Sequence, residues 1–308
     1  MTKNKKNNSL SKMEKKRFKV VIILLIVIII LLFFSIVLIN GKAASKGRIE
    51  EIEPLPSEEP VLDDSVDIKP IPDIVPVETR GALYFVIDDV GNNLFQLKPF
   101  LKLPMNITFA VLPGLKYTKE AIDLIRGAGK DYIIHQPMEA VGGQNPGPGA
   151  LLTGMSQDQV RNIVNNNIKD FIGLKGMNNH MGSAGTADYE LMGFLFTVLK
   201  ENKLFFLDSK TTSKSVGQQL AIEFEIPFAE RSIFLDNSKE KQAILEAVEN
   251  GLDISEKKGH AIMIGHIWTE ELASILLELY PALLENNYVL NNLTQLFTGN
   301  EFDEDSWY

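Results

Sequence analysis

The sequence predicts an α/β domain whose mainly parallel sheet of about seven strands closes like a barrel. From residue 81 to residue 299, short apolar runs alternate with helical stretches, which is typical of repeated β-α units. Polar residues recur at the ends of the apolar runs, where parallel α/β folds carry their active sites. No internal repeat is visible.

The first predicted strand is the apolar run 82–87, which ends abruptly in Asp88 and Asp89. Two adjacent carboxylates repel each other unless a cation or a shared proton relieves them. An Asp-rich turn without chemistry is the alternative interpretation. The other predicted strands are 106–112, 131–134, 176–180, 204–207, 233–235, 261–264 and 289–296, and the predicted helices are 118–128, 156–172, 188–201, 213–224, 240–257 and 269–285.

Seven polar residues stand at the carboxyl ends of predicted strands: Asp88, Asp89, His135, His180, Asp208, Asp236 and His266. Parallel strands bring those ends to one face, so we expect these side chains to converge in one pocket. A lone histidine after a strand is more often structural than a ligand. Three of the four histidines on one face, with four acids, are hard to explain by chance. Nitrogen and oxygen ligands of this kind indicate one divalent metal, with zinc the first choice.

Glu139 is a further possible ligand, four residues after His135. Because Pro137 favours a turn over a helix between them, Glu139 either completes the metal shell or hydrogen-bonds an imidazole. His260 begins its strand, at the opposite end from the site, and is interpreted as structural. Trp268 is either part of the core or a platform for a sugar ring.

Composition excludes several other functions. The chain has no cysteine, which removes thiol catalysis, disulfides and cysteine-ligated metals. The net charge of -9 argues against a nucleic-acid partner, which requires a basic face. We find no phosphate-binding P-loop and no dinucleotide fingerprint, and residues 181–185 lack the leading glycine of a serine-hydrolase elbow.

The amino-terminal part predicts a membrane anchor followed by a tether. Residues 1–19 form a basic tail with eight Lys and Arg, and residues 20–39 are apolar except for Ser35. Twenty such residues match the thickness of a bilayer, and the basic flank places the tail in the cytoplasm. Residues 40–80 read as a Pro- and acid-rich linker and residues 300–308 as an acidic tail. We therefore expect a single-pass membrane protein with residues 81–299 outside the cytoplasm; cleavage after 43–45 is the alternative to a retained anchor.

Five sequence blocks resemble the divergent polysaccharide deacetylases, relatives of the carbohydrate esterases that remove acetyl groups from chitin and peptidoglycan sugars. The resemblance covers roughly residues 81–299 and is specific, because the blocks occur in the right order. These blocks are Ile87-Asp88-Asp89-Val90-Gly91, His135-Gln136-Pro137-Met138-Glu139, Asn178-Asn179-His180-Met181-Gly182-Ser183, Phe205-Phe206-Leu207-Asp208-Ser209 and Ile264-Gly265-His266.

The resemblance implies a distorted β/α barrel with one metal ion. Asp88 corresponds to the general base and Asp89 to the metal-binding aspartate. His135 corresponds to the first histidine of the family's metal motif. His266 corresponds to the general acid, with Asp208 as the residue that orients it.

The chain departs from the metal motif at its second histidine, where Glu139 stands; Glu139 or His180 takes that place. Two functions follow as alternatives. One is a metal-dependent deacetylase acting on N-acetylated envelope polysaccharide or peptidoglycan. The other is a non-catalytic protein of the same fold that binds glycan or an envelope partner.

Overall fold

The computed structural model describes residues 79–297. The predicted cytoplasmic tail (1–19), membrane anchor (20–39), nearly all of the linker (40–80) and the acidic tail (300–308) lie outside the described residues. Among the helices of residues 79–297, none has the length and apolar character needed to cross a bilayer.

Strands and helices alternate along nearly the whole described chain. The strands are β1 (Gly81–Val90), β2 (Thr108–Val111), β3 (Asp131–Met138), β4 (Gly176–Met181), β5 (Phe205–Asp208), β6 (Phe228–Glu230), β7 (Ile233–Phe234), β8 (His260–His266) and β9 (Tyr288–Asn291). The helices are α1 (Leu94–Leu101), α2 (Thr118–Gly127), α3 (Gln157–Ile168), α4 (Tyr189–Asn202), α5 (Gly217–Phe224), α6 (Lys241–Lys258), α7 (Leu272–Glu285) and α8 (Leu293–Leu296), with a 3-10 turn at Gly185–Ala187.

The sheet is a parallel half-barrel. Eight strands lie in the order β6-β5-β4-β3-β2-β1-β8-β7, and β9 pairs with the first half of β1. Only Arg231 and Ser232 separate the two edge strands, β6 and β7, along the chain. The Arg231 backbone N–H donates to the Asp208 carbonyl on β5, and the Ser232 backbone N–H donates to the Ile262 carbonyl on β8. The chain therefore passes directly from one edge of the sheet to the other. This architecture is consistent with the predicted barrel.

The prediction from the sequence missed two elements and made a third too long. Helix α1 and strand β6 were not predicted from the sequence. The predicted closing strand 289–296 is a strand only to Asn291, because Asn292 and Gln295 form a capping box that starts α8. At the start of α3, Ser156 and Gln159 form another capping box.

Apolar side chains pack on both faces of the sheet, and successive residues of β1 alternate between these two layers. Leu83, Phe85 and Ile87 pack with the surrounding helices, whereas Tyr84 and Val86 pack inside the curved sheet. This is the period of two that a strand imposes on its side chains. Burying each large apolar side chain contributes roughly 1.5–3 kcal/mol. The next inward position along β1 belongs to Asp88.

Helix α8 covers the amino end of the barrel interior. Leu293 and Leu296 belong to the inner apolar cluster, and Phe297 stacks on Phe205 with 4.1 Å between ring centroids. The Leu293 N–H donates to Thr108 Oγ1 at the start of β2. With this end filled by apolar side chains, the polar side chains gather at the opposite, carboxyl end.

Candidate metal centre and active site

A local irregularity in β1 brings both aspartates into one site. Asp88 continues the inward alternation and is 2% exposed. Asp89 would then face the helices, but it adopts φ +65°, and the pairing of β1 with β2 shifts between Ile87 and Val90. Such a left-handed residue in a β-bulge costs about 1–3 kcal/mol and re-aims the side chain. Both carboxylates therefore point to the carboxyl end of the barrel.

Asp89 forms a compact cluster with one histidine from β3 and one from β4. Asp89 Oδ1 lies 2.9 Å from His180 Nδ1 and 3.2 Å from His135 Nε2. The two ring nitrogens are 3.2 Å apart. Within residues 79–297, these three form the one group of His, Asp and Glu side chains with the spacing of a metal site.

The hydrogen bonds around the cluster leave its three facing atoms available for a cation. His135 Nδ1 is 2.8 Å from Asn178 Oδ1, which leaves Nε2 as the nitrogen with a free lone pair. Asp89 Oδ2 accepts from Trp268 Nε1 at 2.8 Å, whereas Oδ1 is buried without a hydrogen-bond donor. Two imidazole nitrogens and one carboxylate oxygen are a donor set that zinc accepts. The residues of this chain therefore fit a divalent ion.

The charges near the cluster favour a positive ion there. Burial by itself would raise the pKa of Asp89, but its interactions with the adjacent His135 and His180 hold that pKa well below its usual range. Burial would lower the pKa of His135, yet Asp88 and Asp89 raise it to about 8. Burial raises the pKa of Asp88, although His135 and His266 oppose the shift.

On the other side of Asp88, His266 forms a separate hydrogen-bonded unit with Asp236. His266 is the register partner of Asp88 across the β1–β8 ladder. Its Nδ1 lies 2.9 Å from Asp236 Oδ1, and Asp236 Oδ2 accepts from the His266 backbone N–H and from Thr269 Oγ1. The imidazole lies against Trp268 and Phe234, at centroid distances of 4.8 and 5.6 Å. The ring is thus fixed in place.

The partner of His266 makes it a stronger base. Burial would lower the pKa of His266, but the hydrogen bond to Asp236 and the charge of Asp88 raise it above its ordinary value. Burial would raise the pKa of Asp236, and its hydrogen bonds with His266 lower it instead. An ionised Asp236 holding a protonated imidazole is the arrangement that a general acid needs.

Asp236, and not Asp208, contacts His266. The assignment of Asp208 as the orienting residue is therefore wrong. Asp208 Oδ2 accepts from Ser215 Oγ at 2.5 Å, and its Oδ1 accepts from the Lys210 N–H at 2.7 Å. Asp208 ends β5, which lies next to β4 and β6, whereas the loop after β7 delivers Asp236 beside β8.

Glu139 lies outside the cluster. Its carboxylate accepts two hydrogen bonds from Thr153, from the backbone N–H and from Oγ1, both at 2.7 Å. Of the two alternatives that the sequence left open, the structure places His180 beside His135 and ties Glu139 to the loop before α3. His260 starts β8 at the far end of the barrel, as predicted.

Sequence reasoning missed Arg231 and the contacts of Asn178. Arg231 lies over the Phe234 ring at 3.7 Å and donates from Nε to the Ser209 carbonyl. Burial lowers its pKa, and its charge lies close enough to interact with Asp208 and Asp88. Its position between two short edge strands gave no signal in the sequence. Asn178 stood within the block quoted above, and its place two residues before His180 put it on the same face of β4.

A groove of about 400 Å³ opens beside the cluster. Its lining includes Asp89 and His180, Leu115 and Trp268, and the loop 145–148. Among its described lining residues, Asp89 and His180 are the ionisable ones. Trp268 is 37% exposed, stacks on His266 and has Lys239 Nζ 4.7 Å from its ring centroid. It therefore contributes both to the site and to the groove wall.

The fold and site define a parallel α/β half-barrel with a His/Asp centre at its carboxyl end. Residues 85–297, more than half of the chain, match the family described as divergent polysaccharide deacetylase. The chain belongs to this family, and the resemblance noted in the sequence is confirmed.

The chain is also similar to two bacterial proteins and to one solved structure. A protein of Haemophilus influenzae is 41% identical over 190 residues, which are 61% of this chain and 67% of that protein. YibQ of Escherichia coli is 30% identical over 186 residues, 60% of this chain and 58% of YibQ, so the match spans less than two thirds of that relative. The crystal structure of ATU2773 from Agrobacterium tumefaciens shares the fold at a TM-score of 0.67, with 18% identity over 70% of this chain and 89% of that one.

Proposed function

We propose that this protein is a metal-dependent deacetylase that hydrolyses the acetamido groups of an N-acetylated polysaccharide of the cell envelope. The observation that carries the proposal is the position of Asp88. This buried carboxylate lies 3.7 Å from His135 Nε2 on the cluster side and is in register with His266 on the other. Metal-dependent amide hydrolysis uses a cation, a base and an acid around one carbonyl group, and this arrangement has a candidate for each.

Asp89, His135 and His180 would hold the metal, and zinc is the ion we propose, because three protein ligands leave a position open for catalysis. When bound, the ion supplies a Lewis acid that polarises the acetyl carbonyl and makes a nearby water more acidic. Trp268 holds Asp89 Oδ2, so that Oδ1 is the oxygen turned toward the two imidazoles. The ligand geometry is thus set by this chain's own hydrogen bonds.

Two residues move protons in the proposed reaction. Asp88 takes a proton from the attacking water as the new C–O bond forms. His266, protonated and held by Asp236 at 2.9 Å, gives its proton to the sugar nitrogen as the C–N bond breaks. The products are acetate and a free amine. Each positioned acid or base of this kind contributes roughly 10²–10⁴-fold to the rate.

The groove beside the cluster is the site we propose for the sugar chain. Asn92, Gln96 and Asn145 line it with uncharged polar groups, and Leu115 and Trp268 add apolar surface. Such a lining suits a neutral sugar with hydroxyl and acetamido groups better than a phosphorylated or sulfated polymer. The acetamido group would reach Asp89 and His180, which both line the groove.

We further propose that residues 81–299 act outside the cytoplasm, tethered through the anchor 20–39. The support is the apolar segment of bilayer length and its basic flank in the sequence. In that location the domain would meet envelope glycans. Labelling of single engineered cysteines with a membrane-impermeant thiol reagent in intact cells tests the orientation, because the natural chain has no cysteine. A cysteine placed at Ser306 should react and one placed at Ser9 should not.

Acetate release by the detergent-solubilised full-length chain tests the activity. The protein is loaded with zinc and offered N-acetylated chito-oligosaccharides and peptidoglycan fragments, with Asp88→Asn as the matched control. We expect wild type to release acetate, and the variant to bind zinc normally while releasing at least about 100-fold less.

A non-catalytic glycan-binding role is the second candidate, favoured by the replacement of the family motif's second histidine by Glu139. No acetate release by zinc-loaded wild type from any of these substrates, together with measurable binding of one of them, would support that role and overturn the deacetylase proposal.

A further inference from the structure

Asn178 lies at the centre of the site without being a metal ligand or a proton carrier. It is fully buried in β4 and is the register partner of His135 on β3. Its Oδ1 is 2.8 Å from His135 Nδ1, and its Nδ2 donates to Asp88 Oδ1 at 2.9 Å and to Ser209 Oγ at 3.2 Å. One amide therefore joins the cluster to the buried carboxylate beside it.

The orientation of this amide follows from its neighbours. Asp88 offers an acceptor, so the NH₂ group of Asn178 faces it, and a flipped amide would set two oxygens against each other. The amide oxygen must then face His135, and His135 must carry its proton on Nδ1. An imidazole in that tautomer presents the lone pair of Nε2, which is the nitrogen that faces Asp89 and His180.

We propose that Asn178 is a positioning residue that fixes the His135 tautomer for metal binding and the orientation of Asp88 for proton transfer. The inference rests on the proposed metal-dependent function. It assigns the two ends of one side chain to two different steps. The oxygen acts through a ligand, and the nitrogen acts through the base.

The neighbouring Asn179 shows what a purely structural amide does here. Its Oδ1 accepts from the Ser209 N–H, and its Nδ2 donates to the Met181 carbonyl. These bonds join backbone to backbone at the ends of β4 and β5. Asn178, in contrast, bonds to three side chains, two of which are His135 and Asp88.

Asn178→Leu tests the proposal directly, because leucine has a similar volume and makes none of the three hydrogen bonds. We expect its zinc dissociation constant, measured by competition with a chelator of known affinity, to rise about 10- to 100-fold. Gln136→Leu is the matched control on the neighbouring strand. Gln136 is also fully buried, but it bonds to the Pro137 and Gly149 carbonyls and to Asn167. The Gln136→Leu variant should lower the melting temperature about as much as Asn178→Leu does. Its zinc affinity should stay within about threefold of wild type, because the Gln136 side chain contacts none of the proposed ligands.

Asn178→Asp tests the two ends of the side chain separately. It also tests the proposal if the leucine variant fails to fold. The new carboxylate keeps an acceptor for the His135 Nδ1–H and replaces the donor that faces Asp88. We expect zinc affinity at or above that of wild type, with kcat reduced about 10- to 100-fold at saturating zinc and KM unchanged.

Three results would overturn the proposal. A folded leucine variant that binds zinc as tightly as wild type would remove the role in fixing His135. Loss of zinc affinity in the aspartate variant to the level expected for leucine would show that the acceptor is not what matters, and an unchanged kcat in the aspartate variant would remove the role toward Asp88. Failure of wild type itself to bind zinc overturns the proposed function as well, so the two failures are distinguishable.

Discussion

His135 and His266 both lie in the carboxyl-terminal halves of their strands, and both are fixed through Nδ1, but their partners differ in charge. His135 Nδ1 faces the amide oxygen of Asn178 at 2.8 Å, whereas His266 Nδ1 faces the carboxylate of Asp236 at 2.9 Å. An amide orients an imidazole without adding charge, whereas a carboxylate stabilises the imidazolium form. The carboxylates that raise the pKa of His135 to about 8 lie at its other nitrogen, where a metal ion would replace the proton. At Nδ1, therefore, only His266 has a counter-ion for its imidazolium form.

The largest effect that this comparison predicts is on His135. Replacing it by alanine removes one of three ligand nitrogens and oxygens, so zinc affinity should fall by more than about 100-fold and activity should be lost with it. Isothermal titration with zinc, together with acetate release, measures both. His260→Ala at the other end of the barrel is the control and should keep zinc binding and activity. A His135→Ala protein that still binds zinc tightly would contradict the assigned cluster.

His266→Ala should lower activity without lowering zinc affinity. The variant keeps Asp89, His135 and His180, so its zinc affinity should match wild type while kcat falls about 10²–10⁴-fold through loss of the acid. The measurement is kcat at saturating zinc beside the zinc dissociation constant. If both quantities fall together, as in His135→Ala, the distinction between the two histidines is wrong.

Asp236→Asn converts the partner of His266 into the type of partner that His135 has. The carboxylate raises the pKa of His266, so the imidazolium form persists to higher pH and activity falls as pH rises through that raised pKa. The amide removes the charge, and the descending limb of kcat/KM should therefore move to lower pH. At neutral pH the loss should be part of the 10²–10⁴-fold expected for a positioned acid, about 10-fold. An unmoved limb would show that the limb does not report His266.

The same contrast shows what the sequence can and cannot predict. The convergence of Asp88, His135, His180 and His266 followed from strand ends alone, because parallel strands align their carboxyl ends. The choice between Asp208 and Asp236 depended on the order of strands in the sheet, which places β7 beside β8. No pattern in the sequence encodes that order.

Asp89 is a second limit of sequence reasoning. Strict alternation places it on the opposite face from Asp88, and only φ +65° in a β-bulge brings it into the cluster. This backbone conformation is locally unfavourable, and tertiary contacts stabilise it. The pairing of Asn178 with His135 likewise depends on the register of β3 and β4.

The smallest predicted effect concerns Trp268, which contacts both halves of the site. Trp268→Phe keeps an aromatic ring against His266 but loses the Nε1 bond to Asp89 Oδ2. A hydrogen bond to a charged group contributes roughly 1.5–3 kcal/mol, and a half-exposed donor belongs at the lower end, which corresponds to zinc binding weakened about tenfold. Because the stacking survives, kcat at saturating zinc and the descending pH limb should stay as in wild type. Unchanged zinc affinity would mean that Asp89 is held by its backbone alone, and a shifted pH limb would place Trp268 with the acid instead of the metal.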